Sequence, residues 1–337
     1  MTNPTLFSRS FIWSVAKVEA PEIVTSAWID EQLAETYDRI GVRPGLLASI
    51  AGIEERRWWP ANTCFDDAAA QAGALALSQA GIDANEVDLL ISSSVCKHHL
   101  EPSVACAVHY RLGLSPTCLN FDLGNACLGF MNAMSVAAMA IETGMAKTVL
   151  IVDGEGSRQT QDSTIARLRQ PTTTVEDVFN EFASLTLGSG AAAMVMGGPR
   201  EGAHRYLGGI SRAATSHHEL CVGDLDTMKT DTAGLLTAGL DLARDAFDAA
   251  LAMNWQWTDC DYYVMHQVSK VHTQKLCERL GVDQTRVPLT YPTFGNMGPA
   301  AVPFTLATIA ADIRDGERVL LMGIGSGLNC AAAEIIW

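Results

Sequence analysis

Apolar positions along the chain switch repeatedly between consecutive or alternating runs and stripes spaced three and four apart, a pattern that predicts alternating strands and helices. Phe7 to Val18 alternates as a strand, and Thr25 opens a helical stripe through Trp28, Leu33, Tyr37 and Ile40 that stops at Gly41. Thr63 with Asp66 forms a capping-box pattern ahead of an Ala-rich helix reaching Ala80, stopped by Gly81. Val87 to Val95 reads as a buried strand, Lys97 to Ser103 as a loop, and Pro102 as the start of the next helix. From Thr117 the pattern is strand, tight turn at Gly124 and Asn125, Cys127, then a run from Leu128 to Ile141 so uniformly small or apolar that its helix must be buried on most sides. Gly144 is the stop signal.

Several of these units occur twice, in the same order. Val87-Asp-Leu-Leu-Ile-Ser-Ser93 recurs as Asp261-Tyr-Tyr-Val-Met-His266, a register that matches Ser93 with His266. The strand and turn before Cys127 recur at Val287 to Thr308, setting Ala126-Cys127 on Gly295-Asn296. Thr148-Val-Leu-Ile-Val-Asp-Gly pairs with Arg318-Val-Leu-Leu-Met-Gly-Ile-Gly, and each leads to a Gly-Ser-Gly and an apolar strand. Any α/β protein repeats strand and helix, but three pairs in one order favour duplication, with halves at 1–200 and 201–337. In the first half Ser157 to Thr186 intervenes as an insertion, a cap or subunit contact with an amphipathic piece from Val175 to Phe182.

Composition narrows the function. With 337 residues, 48% of them hydrophobic, the chain can bury a large core. A net charge of -15 without a basic tract argues against nucleic acid, so an anionic ligand must be met by local Arg or Lys groups. Nine scattered cysteines give neither a disulfide framework nor a metal site, which fits a reducing cytoplasm. No signal peptide or membrane span is expected.

Cys127 is the first candidate for chemistry. At a helix start it meets unpaired N–H groups and the positive end of the macrodipole, both of which favour thiolate, although most free cysteines are inert. If equivalent turns of the two halves face each other, Cys127, His266 and Asn296 converge at the carboxyl ends of their strands. Acyl chemistry at cysteine needs a thiolate, a proton-handling partner and a cavity for an oxyanion. His266 with the Asn296 amide would form one such cavity, and the backbone N–H groups of Cys127 and Ser326 another. Taken singly, His266 reads as a satisfied structural histidine and Asn296 as a turn residue.

Asn125-Ala-Cys127, His266-Gln-Val, Gly295-Asn-Met-Gly298, Gly325-Ser-Gly-Leu-Asn and Gly52-Ile-Glu-Glu-Arg-Arg57 together resemble the thiolase superfamily, in its ketoacyl synthase III branch, over essentially the whole chain. Decarboxylating members usually carry Arg-Thr-Gly and His-Gln-Ala-Asn, where this chain has Ile50-Ala-Gly52 and His266-Gln-Val-Ser269. Leu100-Glu-Pro-Ser and Val152-Asp-Gly-Glu bring it closer to the OleA-type head-to-head condensing enzymes of long-chain olefin biosynthesis. The resemblance implies a thiolase fold, with duplicated βαβαβαββ halves in a five-layer αβαβα sandwich. It also implies a non-decarboxylative Claisen condensation of two long-chain acyl-CoAs through an acyl group on Cys127, giving a 2-alkyl-3-oxoacyl product.

An unactivated acyl-CoA needs a base at its α-carbon. The resemblance implies Glu101, delivered from the neighbouring subunit of a homodimer; read by itself, Glu101 is a helix-terminus residue before Pro102. Arg56, Arg57, Arg212 and Lys270 are candidate CoA contacts by proximity to motifs. No cofactor or metal is implied, acyl-CoA being the substrate, and other enzymes of an olefin pathway are candidate partners. Two alternatives use the same residues: a decarboxylating ketoacyl synthase III working on a malonyl carrier protein, and a cysteine-dependent thioester hydrolase or acyl transferase.

Overall fold

Nine strands form one continuous sheet whose two wings repeat each other. In the computed structural model, which describes residues 7–337, the first wing contains β1 (Phe11–Glu19), β2 (Leu89–Ser92), β3 (Leu119–Asp122), β4 (Thr148–Glu155) and β5 (Gly190–Gly197). The second contains β6 (His204–Ala213), β7 (Tyr262–Met265), β8 (Arg318–Gly325) and β9 (Asn329–Ile336). Their order is β7-β8-β9-β6-β1-β5-β4-β2-β3, the wings meeting at a short β1–β6 contact.

The repeat extends to individual hydrogen bonds. Leu89–Ser92 run parallel to Val149–Val152, as Tyr262–Met265 do to Val319–Met322. One residue further on, the Ser93 N–H donates to the Val152 carbonyl at 3.0 Å and the His266 N–H donates to the Met322 carbonyl at 2.7 Å. The acidic lead-ins match too: Asp88 accepts from the Thr148 N–H at 3.1 Å, and Asp261 from the Arg318 N–H at 2.8 Å. His266 therefore leaves its strand at the point where Ser93 leaves the other.

Alternation within the strands builds the layers. Leu90, Leu150, Val152 and Ala193 pack against the outer helices α1 (Phe65–Ala80) and α2 (Val104–Leu112). Their neighbours Leu89, Ile91, Val149 and Ile151 face inward onto α3 (Gly129–Thr143). In the second wing Tyr263, Met265, Leu320 and Met322 pack against α4 (Thr232–Ala252) and α5 (Lys270–Leu280). Val264, Val319, Leu321 and Ile335 join the inner cluster, with α6 (Ala301–Ile309) beside α3. The result is the expected αβαβα sandwich. The segment Ala126–Thr143 is long and apolar enough to cross a membrane, but both wings enclose it as a core helix.

Three local expectations differ. The stretch from Val287, expected as the strand before the Asn296 turn, forms no strand and leads into the short helix Tyr291–Phe294, so the second wing has four strands where the first has five. The first residue of α1 is preceded by Cys64, whose side chain makes no cap, and Asp66 and Asp67 are drawn instead to Arg111 of α2. Helix α2 begins at Val104 rather than Pro102, because the Ser103 hydroxyl accepts from the Cys106 N–H at 3.2 Å and fixes the start there. The insertion folds as three helices, Arg158–Leu168, Val175–Asn180 and Phe182–Thr186. They bury Ile165, Leu168, Val178 and Leu185 against Ile29, Leu33 and Tyr37 of the N-terminal helices.

Candidate active site

Cys127 stands at a tight elbow between β3 and α3. Ala126 is held at φ 46°, a left-handed conformation unusual for a residue with a Cβ. The elbow is closed by hydrogen bonds from the Leu128 N–H to the Asn125 carbonyl and from the Gly129 N–H to the Ala126 carbonyl, both at 3.0 Å. The Asn125 amide donates to Asn132 at 2.7 Å and ties the turn to the first helical residues. Glycine is required on two sides. A Cβ on Gly129 would lie 2.9 Å from the Ser93 carbonyl oxygen, and one on Gly325 would lie 2.9 Å from the Asn125 carbonyl oxygen and 3.1 Å from the Leu128 nitrogen. The Gly325-Ser326-Gly327 turn is thereby pressed against the elbow.

Asn296 is fixed by both its neighbours and the insertion. Its side-chain oxygen accepts from the Gly298 N–H at 3.0 Å, its N–H donates to the Thr186 carbonyl at 2.9 Å, and its carbonyl accepts from the Gly188 N–H at 2.8 Å. The same Gly298 backbone contacts the His266 ring, so one turn organises both residues. Burial holds the His266 imidazole neutral, pushed down to about 3, with neighbouring His272 contributing. His272, on the first turn of α5, is likewise pushed down to about 4 by burial. Both histidines line a cavity of about 30 Å³ with Phe247, Leu276 and Met322.

The thiol departs from expectation. Burial pushes Cys127 up to about 12, reinforced by Cys221, Glu155 and Asp153, and backbone hydrogen bonding at the elbow offsets only part of this. The helix proper starts two residues later, at Gly129. The direction at Cys127 is therefore toward the thiol rather than the thiolate.

Asp153 and Glu155 were not singled out from the sequence as site residues. Their signal was available: two acids, two residues apart, inside an otherwise apolar strand, which places both on one buried face. His272 carried no comparable signal.

The cation candidates separate. Arg56 is unavailable to a ligand: it is fully buried, donating to Ser26 at 3.0 Å and to the Leu185 carbonyl at 3.1 Å, and burial lowers it to about 10. It seals the seam between the insertion and the β-ribbon formed by Glu22–Thr25 and Glu55–Trp58. Arg57 pairs with Glu55 at 2.9 Å and Arg212 with Asp245 at 2.8 Å. Lys270 is exposed at the start of α5, its side chain against Gly52. Glu101 lies on the exposed loop before α2, beside the fully exposed Leu100.

Residues 251–337 match the family described as 3-Oxoacyl-[acyl-carrier-protein (ACP)] synthase III C terminal, and residues 121–210 match 3-Oxoacyl-[acyl-carrier-protein (ACP)] synthase III. The acyl-CoA:acyl-CoA alkyltransferase of Xanthomonas campestris pv. campestris is 42% identical, covering 98% of this chain and 100% of the relative. That of Shewanella oneidensis is 34% identical, covering 98% and 99%. Among solved structures, cerulenin-bound Xanthomonas campestris OleA superposes with a TM-score of 0.97 at 42% identity, covering 100% of both chains. Its cysteine-to-serine variant with bound lauric acid and lauroyl-CoA superposes with a TM-score of 0.96 at 42% identity, over 98% of this chain and 100% of that one. The same protein has been solved with a histidine or a glutamate replaced. By fold, by the elbow at its central helix and by identity along its whole length, this chain belongs to the ketoacyl synthase III-like branch of the thiolase superfamily, among the acyl-CoA:acyl-CoA alkyltransferases.

Proposed function

We propose that the protein joins two long-chain acyl-CoAs by a non-decarboxylative Claisen condensation, with Cys127 as nucleophile. The observation that carries this reading is the Cys127 elbow, strained at Ala126 and walled by Gly129 and Gly325, in a chain similar throughout to an acyl-CoA:acyl-CoA alkyltransferase. The lauroyl-CoA complex of the Xanthomonas relative supports the substrate class.

In the first half-reaction the Cys127 sulfur bonds to the thioester carbonyl carbon and the bond to CoA sulfur breaks. The thiol proton passes to neutral His266 and then to the departing CoA thiolate. Because the thiol is a weak acid here and the imidazole a weak base, transfer is uphill until the S–C bond forms. Proton loss therefore waits for substrate. The oxyanion is met by His266 and the Asn296 amide, and by the backbone N–H groups of Cys127 and Ser326.

In the second half-reaction Glu101 of a second subunit takes the α-proton of another acyl-CoA. The carbanion bonds to the acyl carbon, the Cys127–acyl bond breaks, and the sulfur regains a proton. The product is a 2-alkyl-3-oxoacyl-CoA thioester or, once water cleaves that thioester and CoA leaves, its acid, formed without a cofactor. Arg57, Arg212 and Lys270 remain the candidate CoA contacts. A homodimer is supported by the unpaired outer edge of β3 and by Leu100, Tyr110 and Leu119, large apolar side chains exposed around that edge. A cytoplasmic place beside other olefin-forming enzymes completes the reading.

One pure long-chain acyl-CoA tests it. Condensed product with CoA release is expected, whereas free fatty acid alone would mark a hydrolase, and product appearing only with malonyl carrier protein and CO2 release would mark a decarboxylating synthase.

A further inference from the structure

The insertion is joined directly to the turn that carries Asn296. Leu187, just past its last helix, forms a parallel bridge with Asn296. The bridge closes from both ends: the Asn296 N–H donates to the Thr186 carbonyl at 2.9 Å, and the Gly188 N–H donates to the Asn296 carbonyl at 2.8 Å. Gly295 leaves no slack between the two segments, since a Cβ there would lie 2.8 Å from the Thr186 carbonyl oxygen and 3.1 Å from that of Leu187. The backbone of Asn296 therefore moves with residues 186–188.

The middle of that segment is held by one side chain. Gln161, on the insertion helix Arg158–Leu168, is 0% exposed. Its amide nitrogen donates to the carbonyls of Ser184 at 3.3 Å, Leu185 at 3.2 Å and Leu187 at 2.8 Å. The opposite side fixes which way the amide faces. The Trp58 indole N–H donates to the Gln161 oxygen, and an indole can only donate, so the Gln161 nitrogen must face the carbonyls. Arg56 holds the same segment at Leu185, at 3.1 Å, and the Arg57 carbonyl holds it at the Ser189 N–H, at 2.9 Å. The shortest of the Gln161 bonds goes to Leu187, the residue directly opposite Asn296. Buried carbonyls gathered on one spot need a donor there, because without it they are left unpaired and the segment opens.

We propose that Gln161 is a positioning residue that sets where the Asn296 amide stands in the oxyanion cavity. This rests on the reading of Asn296 as an oxyanion donor. Gln161 acts through two hydrogen-bonded steps, from its amide to the Leu187 carbonyl and from that segment to the Asn296 backbone. The insertion, which belongs to the first half of the chain, thus fixes a donor that belongs to the second. The Trp58 end of the signature at residues 52–58 serves the same end by orienting Gln161. An oxyanion donor must be placed to within about 0.5 Å, so a loosened bridge costs transition-state binding. It leaves the seating of acyl-CoA unchanged. Rate falls, and the half-saturating concentration does not.

The test is acylation of Cys127 in a single turnover with one long-chain acyl-CoA, read by CoA release across a range of substrate concentrations. Gln161→Met keeps an unbranched side chain of similar length and removes the donor. It should lower the limiting acylation rate about ten- to a hundredfold and leave the half-saturating concentration within about twofold of wild type. Asn296→Ala should lower the rate about a hundredfold or more. Added to Asn296→Ala, Gln161→Met should slow acylation by no more than about twofold, because the group it positions is gone. A merely structural glutamine would cost the same factor in both backgrounds, and that result overturns the proposal, as does a Gln161→Met protein that acylates at the wild-type rate. If Gln161→Met does not fold, Gln161→Glu decides by the same comparison: it is of equal size, keeps the acceptor for Trp58 and offers the three carbonyls at most one donor. Wild-type acylation by Asn296→Ala is a separate outcome, which overturns the oxyanion reading and the proposal with it.

Discussion

Gly188→Ala tests how Asn296 is held. A Cβ on Gly188 would stand 1.7 Å from the Phe294 carbonyl oxygen, 2.9 Å from its carbon and 3.4 Å from the Gly295 Cα. Real Cβ contacts essentially never fall under 3.0 Å, so the two backbones must part by at least about 1.3 Å. The contact atom belongs to backbone, and no side-chain rotation relieves it. Parting stretches the bond from the Gly188 N–H to the Asn296 carbonyl, 2.8 Å long, and with it the neighbouring bond from the Asn296 N–H to Thr186. Overpacking of this kind costs about 1–3 kcal/mol, and each weakened bond about 1 kcal/mol. The larger effect falls on rate, because a displacement near 1 Å in an oxyanion donor costs about a hundredfold. Condensation measured by CoA release should drop by about that factor, with thermal unfolding lowered by several degrees. Gly198→Ala, where a Cβ meets nothing within 4 Å, is the control and should match wild type. A Gly188→Ala protein with wild-type turnover would show that the Asn296 turn is not held as described.

Glu101→Ala should still form an acyl adduct on Cys127, seen in intact mass, yet lose condensation by several orders of magnitude; an unchanged product yield would remove Glu101 from the mechanism. Cys127→Ala should form no adduct at all. Arg56→Met removes the guanidinium donors to the Ser26 hydroxyl and the Leu185 carbonyl, although Gln161 still donates to Leu185 at 3.2 Å, and leaves a gap in the buried seam; chemical denaturation should read a loss of about 1–3 kcal/mol, whereas an effect below about 0.5 kcal/mol would refute its sealing role. His266, lowered to about 3, is neutral when folded and protonates near 6.5 when unfolded. Between these values the unfolded chain binds more protons, so His266 draws stability down as pH falls through 6.5 toward 3. His266→Asn should flatten that part of the stability profile, and an unaltered slope would contradict the buried neutral imidazole.

Much of the fold was readable because it is built twice. The Asp88 and Asp261 lead-ins, the Ser93–His266 match and the Cys127–Asn296 match are all periodic features, and periodicity survives in sequence. Helix starts were read less well. Ser103 caps α2 although Pro102 carried the stronger signal, because a hydroxyl in range of a free N–H decides the start. Helix position favours a thiolate at Cys127, whereas burial, followed by Cys221 and the β4 acids, pushes the thiol up, and those neighbours arrive only through tertiary packing. Arg56 shows the same limit: adjacency to a motif placed it near a ligand, whereas the insertion closes over it. Glu101 lies beyond one chain's geometry, since its proposed partner site belongs to another copy.

The central claim is carbon–carbon bond formation on an acyl-Cys127. Supplying one long-chain acyl-CoA labelled with carbon-13 at its carbonyl, and analysing the product by mass and carbon NMR, tests it most directly. The account predicts a 2-alkyl-3-oxoacyl product with two labelled carbons, at the thioester or acid carbonyl and at the ketone. Singly labelled fatty acid as the sole product, released from an enzyme that still acylates Cys127, would contradict it.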